Sequence, residues 1–254
     1  MKKIIIPLMS ILLTSCSVPT YYQVYKATPD NGKVTESKIT FEDKKCKLVY
    51  NLWGEGGDFG FNIYNKTDND LIVLTNKSFF ILNGIAYDYF KNRVVTETSN
   101  VGSVITYNTY LFGNYNPTRF AGTNSSSNSI SYAETPYMIV PPGTSKNLAE
   151  YIITNRLFES CDMFEYPSRK QIISLKFDRV TSPFVFSNLV SYVSNGDTSR
   201  IENKFFISEI TNLPESELFK TQYVDNCGNK FYRQIKVAKD SSPDKFYITY
   251  FNKN

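Results

Sequence analysis

Apolar and polar residues alternate along most of this chain with a period of two. In "DFGFNIYN", Phe59, Phe61 and Ile63 fall on one face and Gly60, Asn62 and Tyr64 on the other, the signature of a half-buried strand. "YYQVYK", "SKITFED" and "CKLVYNLW" read the same way, and "GEGG" between two such runs predicts a hairpin connection. "KTDND" is a turn, because Asn and Asp side chains hydrogen-bond their own backbone. In "LIVLTNKSFFILNGIAYDYF" the pattern gives strand, strand, turn, strand, with Asn83-Gly84 supplying two residues that tolerate positive φ.

The alternation loosens between about Lys91 and Thr135, where "GNYNPTRFAG" is turn-rich and "GTNSSSNSIS" is polar and of low complexity. This predicts a long insertion, 91–135, holding one hairpin at "VGSVITYNTYLF". Order returns at "YMIVPPGTSKNLAEYIIT", a strand, a Pro-Pro-Gly turn and a strand. "RLFESCDMFEY" is assigned a helical turn, and "KQIISLKF", "PFVFSNLVSYV" and "ENKFFISEI" three further strands. "NLPESELFKTQYV" predicts a short helix, with Asn212 near its cap, Glu215 and Glu217 in its first turn, and Leu218, Phe219 and Tyr223 on one face. "KFYRQIKVA" and "KFYITYF" are expected to pair as a terminal hairpin around "KDSSPD".

Ten or more short strands, polar turns and almost no helix predict an all-β fold, an antiparallel β-sandwich. It is immunoglobulin-like in its sheet-on-sheet packing only, since the Cys-Trp-Cys spacing of true immunoglobulin domains is missing. The expected domain spans 22–254, with residues from about 212 onward as a smaller unit on the same core.

The N-terminus breaks the alternation. Lys2 and Lys3 precede an apolar run, Ile4 to Leu13, of about ten residues. A helix needs about 20 to cross a bilayer core, so the run reads as a secretory leader. Leu13-Thr14-Ser15-Cys16 then resembles a bacterial lipobox: an aliphatic residue, two small ones, cysteine. The resemblance implies cleavage before Cys16, acylation of its thiol by chains such as palmitate, and a third chain on the new amino group. Residues 1–15 are then leader and 16–21 a lipidated tether. Each buried CH₂ contributes about 0.8 kcal/mol, so two or three chains hold a protein where one does so marginally. No acid follows Cys16 closely, which by likeness to Gram-negative lipoproteins suits the outer membrane with the domain facing the periplasm.

The mature chain also resembles a group of lipoproteins from Bacteroides-type bacteria, through "YNLWGEGGDFGFNIYNKTDNDL", "FFILNG", "PPGTSK" and "SPFVFSNLVSY". That group carries no assigned activity. The resemblance implies a location and a domain extent and brings no catalytic residues.

Charge adds exclusions. Loss of Lys2 and Lys3 takes the net charge from +4 to +2, with no basic stripe for nucleic acid. No histidine occurs, which removes Ser-His-Asp and Cys-His nucleophile pairs and histidine-ligated zinc. Cys46, Cys161 and Cys227 lie far apart with no C-x-x-C, so no metal or other cofactor is expected. The oxidising compartment permits a disulfide, with three pairings open, as against three unpaired thiols. "GEGGDFG" lacks the phosphate-loop spacing and the other kinase motifs, "TDND" lacks the remainder of a calcium loop, and Ser242-Pro-Asp-Lys245 lacks the partner motifs of penicillin-recognising enzymes.

Two functional readings survive. One is a non-enzymatic binding or structural module, whose candidate contacts with an envelope protein or glycan are Trp53, Tyr50, Tyr107, Tyr110 and Tyr115. An accessory subunit pairing through an edge strand is a variant of it. The other is a glycan hydrolase using two carboxylates, for which Glu42, Glu55, Asp58, Glu150 and Asp178 are scattered candidates.

Overall fold

A computed structural model of the chain describes residues 18–100, 127–226 and 229–252. The first strands are β1 (Thr20–Pro29), β2 (Lys33–Val34), β3 (Ile39–Glu42), β4 (Cys46–Tyr50), β5 (Phe61–Asn65) and β6 (Leu71–Val73). Then come β7 (Phe79–Leu82), β8 (Ile85–Asp88), β9 (Val94–Asn100), β10 (Ser127–Ala133), β11 (Met138–Val140) and β12 (Ser145–Leu148). The last are β13 (Ser174–Lys176), β14 (Val185–Ser194), β15 (Asp197–Pro214), helix α1 (Glu215–Leu218), β16 (Phe219–Asn226), β17 (Asn229–Ala238) and β18 (Lys245–Phe251).

The fold is all-β, and its strand ladders are antiparallel. One sheet runs β12-β5-β4-β3-β2. The other runs β11-β6-β14-β15-β1-β18, with β7, β8 and β13 joined to its side. The strands at the centre of each sheet contribute their apolar faces to the layer between the two sheets. Cys46, Leu48 and Tyr50 of β4 and Phe61 and Ile63 of β5 point inward, with Lys47 and Tyr64 outside. Phe186 and Phe205 answer them from the facing sheet, stacked with ring centres 5.3 Å apart, and Phe59 stands edge-on to Phe186 at 4.9 Å. Such aromatic pairs add about 0.5–1.5 kcal/mol beyond the area they bury.

Polar contacts fix how the layers and their flanking segments meet. Asn188 and Asn203 are directly opposite on β14 and β15 and both reach Tyr50 Oη in the facing sheet, at 3.5 and 2.6 Å. Asn188 also accepts the Tyr89 hydroxyl at 2.6 Å. Tyr192 Oη on β14 donates to Asp43 Oδ2 at 2.6 Å, in the turn before β4. Gln23 on β1 joins Asn212 Oδ1 to the carbonyl of Phe158, both at 2.9 Å, tying segment 156–166 to the sheet.

Several expected elements differ. β1 already includes Thr20 and Tyr21, paired with Phe251 and Tyr250, so the tether ends sooner than residue 21. β4 and β5 do pair, Tyr50 opposite Phe61, but across the ten residues 51–60 rather than a tight turn. Asn83 and Gly84 form the expected two-residue turn, both at positive φ. Pro141–Gly143 does not close a hairpin: β11 pairs with β6 in one sheet and β12 with β5 in the other, so the turn carries the chain between layers. Within the insertion, Ser127–Ala133 is a strand paired with Val94–Asn100. The hairpin expected at 101–112 lies outside the described residues. No helical turn forms in 156–166.

The C-terminal region departs most. The helix is one turn, with Pro214 at its cap position and no side-chain cap; Asn212 instead donates to the Phe164 carbonyl. Residues after Leu218 are strand. β17 pairs back on β16, and β18 leaves it to join β1, so "KFYRQIKVA" and "KFYITYF" are not partners.

Candidate functional site

The two strands β16 and β17 pair with one another and, among the described residues, with no other strand. Eight residues at about 3.4 Å each make an arm of roughly 27 Å. In sequence the segment 219–238 carries Lys220, Lys230, Arg233 and Lys236 against Asp225. Tyr223 is 63% exposed and accepts Gln234 Nε2 at 2.7 Å; Val224 beside it is also exposed.

The arm is rooted on the outer face of the larger sheet by aromatic rings. Phe219 stands edge-on to Tyr22 at 5.0 Å and to Tyr247 at 5.7 Å, and Tyr22 meets Tyr247 at 5.5 Å. Trp53 packs edge-on against Tyr247 at 5.4 Å. Leu218 is buried beneath them. Burial pushes the Tyr22 hydroxyl up to about 12, and the Glu215 carboxylate, 3.5 Å away, adds to this. Glu215 also takes Lys236 Nζ at 2.8 Å. An open groove of about 480 Å³ lies along the root, lined by Glu215, Ser216, Phe219, Lys220, Lys236 and Lys239.

Of the aromatic contacts expected from sequence, Trp53 alone is at this root. Tyr50 is 1% exposed and belongs to the core; its hydroxyl is held by Asn188 and Asn203, so it is no surface contact. Tyr107, Tyr110 and Tyr115, and Cys16, the expected lipidation site, lie outside the described residues.

The loop carrying Trp53 has a structural role that its glycines explain. Gly56 N donates to the Tyr247 carbonyl at 2.8 Å, and Tyr247 N donates to the Gly54 carbonyl at 3.1 Å. Glu55 accepts Thr249 N at 2.8 Å and Thr249 Oγ1 at 2.6 Å. "GEGG" therefore covers the outer edge of β18, which would otherwise offer a free row of backbone groups. Gly57 has φ +76°, and a Cβ there would meet Ile153 and Phe246 at 2.8 Å.

Each carboxylate considered for hydrolysis has a partner of its own. Glu42 pairs with Lys66 at 2.6 Å, Asp58 accepts Gly60 N, and Asp178 accepts Val180 N and Thr181 N. Glu150 takes both Arg93, at 2.8 Å, and Lys91, at 2.7 Å. Arg93 also grips Glu134, whose carboxylate accepts the backbone N–H of Lys91 and Arg93. This clamp roots the β9–β10 hairpin. Burial pushes the Glu134 carboxyl up, but the bonds from Arg93 outweigh it and hold it below the usual range.

Cys46 is a buried free thiol, pushed up to about 12 by burial, and Cys161 is an exposed free thiol. Among the described residues no cluster of three or more potential metal ligands occurs, and no helix is long and apolar enough to cross a membrane. Comparison with protein-family models, curated proteins and solved structures found no match.

Proposed function

We propose that this chain is a lipid-anchored protein of the cell envelope, of the kind its likeness to Bacteroides-type lipoproteins implies. Cys16 carries the acyl chains, the outer membrane holds them, and the sandwich faces the periplasm. Its work is to bind another envelope protein, without catalysis, and the β16–β17 arm is the binding element.

The arm itself carries this reading. An isolated two-stranded ribbon is at best marginally stable in water, so a projecting one is sustained by its root and completed by a partner. Among the described residues its outer strand edges are unpaired, which suits strand addition: main-chain bonds supply affinity and flanking side chains such as Tyr223 and Val224 supply selectivity. By contrast, the edge of β18 is closed by the loop carrying Glu55. A hydrolytic reading draws no support from the carboxylates, each of which is engaged in holding a turn, a strand or a hairpin base.

The test is site-specific photocrosslinking in the native envelope, with the reactive group at Tyr223 and, as a control, at exposed Val34. One discrete adduct from position 223, and none from 34, is expected. No adduct from 223, together with release of sugars from envelope glycans by the purified protein, would replace this reading with the hydrolytic one.

A further inference from the structure

The start of β1 sits among rings. Tyr21 packs edge-on against Tyr166 at 5.3 Å and lies 5.8 Å from Tyr250; Tyr166 and Tyr250 are 6.0 Å apart. The Tyr250 hydroxyl donates to the Glu165 carbonyl, which holds the Tyr166 segment against the strand ends. Around this cluster three apolar side chains face solvent: Val18 (55% exposed), Phe164 (49%) and Phe251 (50%). Phe251 pairs with Thr20, and Phe164 is tied to Asn212 beside Gln23, so all belong to one end of the sandwich.

That end is also where the chain arrives from Cys16. Three residues, Ser17, Val18 and Pro19, separate Cys16 from Thr20, so four steps of at most about 3.3–3.6 Å each join them. The reach is about 14 Å. It is shorter than the interfacial layer and the domain together, so the lipid cannot be distant from this end.

We propose that the end of the sandwich bearing Tyr21, Tyr166, Tyr250, Phe164 and Phe251 rests on the bilayer, with Phe251 and Phe164 entering the headgroup layer. The proposal rests on the lipid-anchor reading above. Tyrosine suits this level because its ring is apolar and its hydroxyl wet. The charges nearby are mixed: Arg169 pairs with Glu217 and Lys236 with Glu215, and the segment carrying Phe164 holds Glu159, Asp162 and Glu165, so the surface fits zwitterionic headgroups and needs no anionic lipid. Exposed Ile85 is level with Pro29, at the far end of β1, through the pairs Leu82–Ile85, Phe186–Leu82, Phe186–Phe205 and Pro29–Phe205; it lies about 30 Å along the strand from Thr20 and stays in water. The arm is rooted beside the membrane end, because Pro214 pairs with Tyr21 immediately before α1. A partner gripped there is another protein at the membrane surface.

The experiment uses the full lipidated protein in phosphatidylethanolamine–phosphatidylglycerol vesicles, with lipids brominated near the headgroup end of one chain. Tryptophan is placed at Phe251, at Phe164 or at Ile85, each in a Trp53→Phe background, and the mass of the N-terminal peptide is measured in parallel. Loss of emission at 251 and 164, with none at 85, is expected. Acylated Cys16 with unquenched tryptophan at both 251 and 164, or with equal quenching at 85, overturns the orientation and leaves the anchor standing. An unmodified Cys16 overturns both.

Discussion

Asn188 and Asn203 hold one tyrosine hydroxyl between two sheets, and that arrangement has a measurable cost when broken. Tyr50→Phe leaves the buried Asn203 amide without its acceptor, while Asn188 Nδ2 keeps the Phe59 carbonyl at 3.3 Å, and among the described residues Asn203 Oδ1 already lacks a partner. Unsatisfied buried groups cost about 1–3 kcal/mol, so the denaturant midpoint should fall by that equivalent with little change in slope. Asp43 makes a pH prediction. Burial pushes its carboxyl up, but the Tyr192 hydroxyl and the backbone N–H of Cys46 and Lys45 outweigh that and hold it below the usual range. A depressed folded value means stability present above the unfolded value, about 4, and lost as pH falls through the folded one. Asp43→Asn should therefore lie about 1 kcal/mol below the wild type at pH 7, and urea titrations should show the gap closing under pH 4. The two described thiols separate by reactivity: Cys161 should take maleimide in the native state and Cys46 only after unfolding, read by peptide mass. None of these pairings was legible from sequence. Alternation tells which residues face inward, Tyr50 with Cys46 and Leu48 among them, but not which polar groups meet across the core; the contact role expected of Tyr50 rests on its ring chemistry and its closeness to Trp53.

At the scale of elements, local signals were legible where the partner is also local. Asn83-Gly84 fixes a hairpin by backbone geometry alone, and β4 and β5 were read from their alternation. Pairings across layers were not legible. The Pro-Pro-Gly turn looks like a hairpin turn but passes between sheets, since nothing in a turn's sequence tells whether its flanks share a ladder. At α1 the acids of "PESEL" favour a helix start and drew the reading on through Thr221, Tyr223 and Val224, residues that suit strands. "GEGG" was recognised as a connection, while its cover of the β18 edge depends on a strand almost 200 residues away. Gly57→Ala tests it: the added carbon clashes with Ile153 and Phe246 at positive φ, so a loss of about 1–3 kcal/mol is expected, against a small effect for Gly54→Ala, where nothing lies within 4 Å. Hydrogen exchange should find the β18 amides of Tyr247 and Thr249 far slower than those of β16 if the clasp and the free arm are as described.

At the scale of the whole molecule, polar pins fix two sheets, a loop covers the β18 edge, and the β16–β17 ribbon stands beside β1, the strand that follows the proposed lipid anchor. Each feature narrows the next: on the proposed anchor at Cys16, the short tether would place the arm's root, and with it the proposed partner, near the membrane. The link on which the rest depends is chemical and sits at Cys16. The direct measurement is the intact mass and N-terminal peptide of the protein recovered from its native membrane fraction. The account predicts a chain beginning at Cys16 with a diacylglycerol mass on that residue, and a Cys16→Ala form that is neither cleaved at that bond nor retained. A wild-type chain that begins elsewhere, carries no acyl mass and is recovered from the soluble fraction would contradict it.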